Sequence, residues 1–251
     1  MRALHHGGRL IGVALVVVLV GGATAWGQPG LNLTGRCLPD GRVVVSAGPG
    51  VLFTLDLNAH GPNWTNVGQE KATASPTDIV GEGGLNIEGT LPVPNTNGGA
   101  VKFSETVWPA EQGFSLAYNL GFTKDMTLNG LQVSMLMPVG GFIGKTLAIQ
   151  SAGAEVLQVT LPQTWTEQTW QLGDAEGDAI LIDTGGAMPI AIRAAEGQRL
   201  LLQDLRRWDH DLFELRFTFI FAAAGQPVKA DEARNLSLEL EFDRQVEFEG
   251  I

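Results

Sequence analysis

One cysteine stands in 251 residues. A lone Cys37 excludes an internal disulfide and reads as a small, half-buried hydrophobe. Histidine is scarce as well: of four, His5 and His6 sit in the N-terminal segment, which leaves His60 and His210. That is too few for a histidine-rich metal site. The chain has no G-x-S-x-G elbow, no H-E-x-x-H, no phosphate-binding loop and no Cys/His metal spacing. Basic residues are outnumbered, 16 against 27 acids, for a net charge of −11. Such a body repels nucleic acid and anionic membrane surfaces and favours neutral or cationic partners. After Ala25 no apolar pattern holds a helical period for three turns.

The one long apolar run, Leu10–Val20, follows Arg2 and Arg9 and ends in the small residues Ala23-Thr24-Ala25. It is shorter than the roughly 20 residues that span a bilayer. The pattern predicts a secretory signal peptide over residues 1–25, cleaved after Ala25, and a secreted or periplasmic protein with no membrane contact once the signal is gone. Cleavage removes Arg2 and Arg9 and no acid, which deepens the net charge from −11 to −13. Residues 26–251 then form one domain, of a length that suits a single large all-β unit.

Strand signals fill that domain. Gly41–Ser46 and Val51–Leu57 flank the breaker cluster Gly48-Pro49-Gly50 and suggest a hairpin. Phe114, Leu116, Tyr118, Leu120 and Phe122 alternate with small or polar residues, as do Leu131, Val133, Met135 and Met137. The strongest alternations are Phe213, Leu215, Phe217, Phe219, Phe221 and Leu236, Leu238, Leu240, Phe242. Period two puts each set on one face of a strand. Shorter pieces include Val101–Trp108, Thr166–Leu172, Ala179–Ile182 and Ile190–Arg193. Asn58–Glu82 keeps no sustained period and is either a surface excursion or a region of short irregular strands; Asp231–Arg234 has room for one helical turn. Glycine, at 33 residues, falls between strands where tight turns need it. Short strands with turn chemistry between them predict an all-β, antiparallel β-sandwich of jelly-roll or supersandwich type, with little helix outside the signal peptide.

The densest polar cluster runs from Gln203 to Asp211 and joins two predicted strands. Asp204, Arg206, Arg207, Trp208, Asp209 and His210 there have the chemistry to grip a sugar. Carboxylates and guanidinium groups hydrogen-bond hydroxyls, and an indole face covers the apolar side of a pyranose. The alternative is a structural corner, with Asp204 accepting backbone N–H bonds and an arginine pairing with an acid. Glu105, Glu111, Asp204, Asp209 and Asp211 read as lying in or beside loops. They are candidates for the two carboxylates, roughly 5–10 Å apart, that a glycosidase uses. Gly173–Asp178 and Asp183 offer oxygen ligands for Ca²⁺ or form a solvated turn; no other cofactor is implied. Glu239, Glu241 and Asp243 alternate along a wet strand face. Trp165, Trp170 and Trp208 read as the more exposed indoles.

Leu200–Trp208 followed by Phe213–Phe217, together with the rhythm of the segment from Gly89–Pro92 through Tyr118–Leu120, resembles secreted bacterial β-sandwich domains found with polysaccharide-degrading enzymes. The resemblance implies association with a carbohydrate or polysaccharide. Three functions stay open on the residues: glycan binding through a loop-edge site, a polysaccharide-active hydrolase or lyase using loop carboxylates, and a structural or assembly protein of the cell envelope.

Overall fold

The computed structural model describes residues 32–79, 83–183 and 185–249; the expected signal peptide lies outside them. In chain order the strands are β1 Leu33–Cys37, β2 Val43–Ala47, β3 Gly50–Gly61, β4 Thr65–Gly68, β5 Thr73–Ile79, β6 Gly84–Pro92, β7 Ala100–Ala110 and β8 Gly113–Phe122. After them come β9 Met126–Pro138, β10 Thr146–Ser151, β11 Ala154–Thr160, β12 Gln171–Ile182, β13 Ile190–Asp204, β14 Leu212–Val228, β15 Ala233–Phe242 and β16 Val246–Glu249. The single α-turn among the described residues is Val139–Phe142, and none of their helices is long and apolar enough to cross a membrane.

The main path of strands runs β16-β1-β2-β3-β9-β14-β13-β15-β8-β7-β6-β5. It folds over on itself at β13. Arg199–Asp204 of that strand pair with β14, whereas Ile190–Ala194 pair with β15. One strand therefore serves both sheets, as at the corners of other β-sandwiches. The two halves meet face to face: Phe53 of β3 stacks on Phe242 of β15, with centroids 6.2 Å apart, and Phe114 of β8 meets Phe248 of β16 edge-on. Alternation supplies this core. Leu55 and Leu57, Val133 and Met135, Phe213 and Phe217, Leu236 and Leu238 are all buried.

Several expectations are corrected or decided here. The alternation of β14 does not run unbroken to Phe221. A register shift between Thr218 and Ile220 reverses the faces, so Ile220 is buried while Phe219 and Phe221 are half-buried. For Asn58–Glu82 the described residues, to Ile79, take the second of the two alternatives, short strands: β3 continues to Gly61, and β4 and β5 follow. Thr166–Leu172 is mostly irregular, with strand beginning only at Gln171, and the stretch around Asp231 is a turn leading into β15.

Gly113 shows how tightly β8 and β15 pair. It sits opposite Glu241, and a Cβ there would fall on the carbonyl oxygen of Leu240. Gly113→Ala is expected to lose about 1–3 kcal/mol, the usual cost of overpacking a filled site, as read by urea unfolding. A neutral result would mean the sheets separate more readily there than this contact implies.

Candidate functional site

The central strands β3, β9 and β14 carry apolar residues on the core side and polar residues on the other. On β3 the second set is Asp56, Asn58 and His60; on β9 it is Gln132 and Ser134; on β14, Glu214 and Arg216. Register lines these up across the sheet. Asp56 faces Ser134, which faces Arg216; Asn58 faces Gln132; Glu214 faces Gln203 of β13. All but the fully buried Ser134 floor a cleft of about 710 Å³, within the roughly 300–1,000 Å³ typical of small-molecule sites. Arg42, Asn66 and Glu70 border it beside β3, and Leu205, Trp208 and His210 border it beyond β13.

The floor is wired internally. Arg216 pairs with Glu214 at 2.7 Å, and Ser134 donates to Glu214 Oε1 at 2.6 Å. His60 Nε2 lies 3.1 Å from the Gln132 amide, while its Nδ1 is buried without a partner. Burial, reinforced by the nearby Arg216 charge, pushes the imidazole down to about 4, so it is neutral at physiological pH. Burial also lifts the Asp56 carboxyl up to about 7, against a hydrogen bond from the Gln69 backbone N–H at 3.0 Å. Near neutrality Asp56 is thus divided between acid and carboxylate, the condition that suits proton transfer.

Behind the floor lies a second, wholly buried group. Gln69 donates through Nε2 to Glu105 Oε2 at 2.7 Å and accepts from the Leu57 N–H at 2.8 Å and the Tyr118 hydroxyl at 3.3 Å. Glu105 lies mid-strand on β7 and faces the core rather than a loop, which corrects its reading as a cleft carboxylate. Burial raises its carboxyl to about 8, so it sits in the core as the neutral acid. Gly41, at φ +97, closes over this group; a Cβ there would collide with Gln69 Nε2 and Glu105 Oε2.

The Gln203–Asp211 cluster divides. Asp204 is fully buried and accepts from the Arg206 backbone N–H at 3.1 Å and its guanidinium at 2.6 and 2.9 Å. Arg206 also caps the carbonyls of Pro162 and Gln163, each at 2.9 Å. Those two residues build the corner. Arg207 lies on Trp170, and Asp209 closes the short 3₁₀ turn Leu205–Trp208 in a left-handed conformation. Trp208 and His210 face the cleft. Of the acids offered as calcium ligands or a solvated turn, Asp174, Glu176 and Asp178 lie within β12, where Asp174 pairs with Arg199, and Asp183, just after the strand, pairs with Lys145. Among the described residues no three His, Cys, Asp or Glu side chains converge as metal ligands.

No protein-family model matches the chain, and no curated protein does. Solved structures do. A putative aldose 1-epimerase from Escherichia coli K12 superposes with a TM-score of 0.53 at 8% identity, over 85% of this chain and 99% of that one. The likeness is one of fold. A galactose mutarotase-like protein from Lactobacillus casei ATCC 334 gives 0.51 at 9% identity, over 84% and 100%. The sequence resemblance is to sandwiches found with polysaccharide-degrading enzymes; these two structures of the same fold are instead a putative aldose 1-epimerase and a galactose mutarotase-like protein.

Proposed function

We propose that the cleft binds a carbohydrate, with Asp56, Asn58, Gln132, Glu214 and Arg216 meeting hydroxyls from the floor. One observation carries this reading: three adjacent central strands turn a continuous polar face into a concave cleft edged by indoles. Alternating donors and acceptors match a ring of hydroxyls, and indole faces match the apolar C–H side of a sugar. The two mutarotase-like structures of the same fold support the choice of ligand class. The acidic charge favours a neutral saccharide over an anionic one. Export to the periplasm or medium, from the N-terminal pattern, is part of the proposal; an N-terminus at Trp26 on the protein recovered from that compartment tests it.

Titration calorimetry with neutral saccharides tests binding. Asn58→Ala is expected to weaken it about tenfold, the loss of one or two buried hydrogen bonds. No heat with any saccharide would end the reading.

A second reading, catalysis, is favoured by Asp56, a buried carboxyl on the cleft floor. Interconverting sugar anomers requires a proton to leave the anomeric hydroxyl while another reaches the ring oxygen. The ring then opens and recloses on the other face. Both oxygens belong to the same anomeric carbon, so the neutral form of Asp56 supplies both roles: its O–H gives a proton to the ring oxygen while its other oxygen takes the one leaving the hydroxyl. Exchange NMR of a dissolved hexose is expected to show faster anomer interconversion with the protein. Asp56→Asn should cut that acceleration by about 10²-fold or more; binding without acceleration would leave a binding protein.

A further inference from the structure

The cleft has two aromatic ends, and they are built alike. β3 is followed at once by the 3₁₀ turn Pro62–Trp64, and β13 by the 3₁₀ turn Leu205–Trp208. Each turn closes on a tryptophan that lines the same cleft, with Trp64 38% exposed and Trp208 45% exposed. β3 and β13 run in opposite directions across the floor, since β3 is antiparallel to β9, β9 to β14 and β14 to β13. The two indoles therefore stand at opposite ends of the strand direction. Trp208 follows the end where Gln203, Glu214, Leu136 and Thr54 align. Trp64 follows the end where His60 and Gly130 align. Thr54 to His60 alone spans about 20 Å at the roughly 3.3 Å rise of a strand, more than a single pyranose bridges.

Both indoles are held rather than hanging free. Asn63 and Trp64 are both left-handed, at φ 60 and 59, a conformation that is an outlier for a bulky side chain and persists only when its surroundings enforce it. The Trp64 ring packs on Phe221 and across His60, with centroids 5.2 and 5.5 Å away. The bulge in β14 is what brings Phe221 to this side. At the other end Trp170 meets Trp208 edge-on at 5.2 Å, and the Arg207 guanidinium lies 5.0 Å from one ring and 5.6 Å from the other. Arg207 is tied in turn to the Glu167 carbonyl. Between the two ends, Arg216 is paired with Glu214 and Arg42 with Asp40, so neither lining arginine is left over for an anion.

We infer that the cleft takes a linear, neutral oligosaccharide of at least three units, with a sugar face on Trp64 at one end, a sugar face on Trp208 at the other and the polar floor between them. The inference rests on the carbohydrate reading above and extends it from a single ring to a chain. Rigid indoles are suited to this, because they offer a large contact face without losing side-chain freedom on binding.

The test titrates cello-, malto- and laminari-oligosaccharides, from the monosaccharide to the hexasaccharide, against the wild-type chain. Affinity is expected to climb with length in one series and level off once the cleft is full. Trp208→Ala should cost roughly 3- to 10-fold on the tetrasaccharide, the worth of one aromatic contact, as should Trp64→Leu. Because Trp64 also packs internally, shielding of tryptophan fluorescence from acrylamide in the unmutated chain provides a second readout: the tetrasaccharide should shield more indole than the monosaccharide. A monosaccharide that binds as tightly and shields as much as the tetrasaccharide overturns the inference and leaves the carbohydrate reading standing. No binding in any series overturns both.

Discussion

Stability is expected to fall as the pH rises from the ordinary carboxylate range toward 8, and Glu105→Gln is expected to remove a large part of that fall. Glu105 titrates near 4.5 when the chain is unfolded but near 8 in the core. Between those values the folded chain holds a proton that the unfolded chain has released, so each rise in pH favours unfolding. The stabilisation is complete below the unfolded value and gone above the folded one. The slope is about 1.4 kcal/mol per pH unit, which over this window amounts to a loss on the order of 4–5 kcal/mol. Asp56 adds a similar slope between 3.8 and about 7. The groups facing Glu105 are Gln69, Tyr118, Asp56, Asp40 and Cys37; the acids among them push its carboxyl up as burial does. Glutamine keeps the shape and much of the hydrogen bonding without a titrating proton. Urea unfolding across this pH window should therefore show a flatter profile for the variant, most clearly from 7 to 8, where the contribution of Asp56 is falling away. An unchanged slope would mean that Glu105 reaches water in the folded state.

Arg216→Ala should produce the other large effect, a loss of about 3–5 kcal/mol, because it strands Glu214 in the sheet without its cation. The pair is nearly enclosed, with side chains 11% and 4% exposed. Replacing both partners, Arg216→Met with Glu214→Leu, should recover most of the stability while abolishing saccharide binding, since an apolar pair of similar volume removes the desolvation cost along with the polar floor. A single variant within about 1 kcal/mol of wild type would show that water reaches the pair.

How much of this was legible beforehand depended on whether the signal was local. The hairpin around Gly48-Pro49-Gly50 and the alternations from Phe114, Leu131 and Leu236 are written in neighbouring residues, and the structure has strands at each, the first starting at Val43 rather than Gly41. The bulge after Thr218 is not, because two more phenylalanines continue the period while the chain shifts beneath them. β5 kept no period because its residues are largely exposed and it has no core side to mark. Glu105 does carry a local signal, since it lies between Phe103 and Val107 on the buried face of β7. The acceptance of a carboxyl there depends on Gln69, 36 residues away. The cleft floor was visible only as wet alternates on separate strands. What joins Ser134 to Glu214 is the register of strands 80 residues apart, and no local pattern encodes that. The Gln203–Asp211 cluster stood out for its density, yet density could not separate the buried Asp204–Arg206 corner from Trp208 and His210 at the cleft.

β13 works like the spine of a book. Its two ends are bound into different leaves, so neither leaf can peel away while the spine stays stitched. Anything that presses on Gln203 in the cleft pushes on the same rod of backbone that, a few residues earlier, anchors the opposite leaf through Ile190 and Ile192.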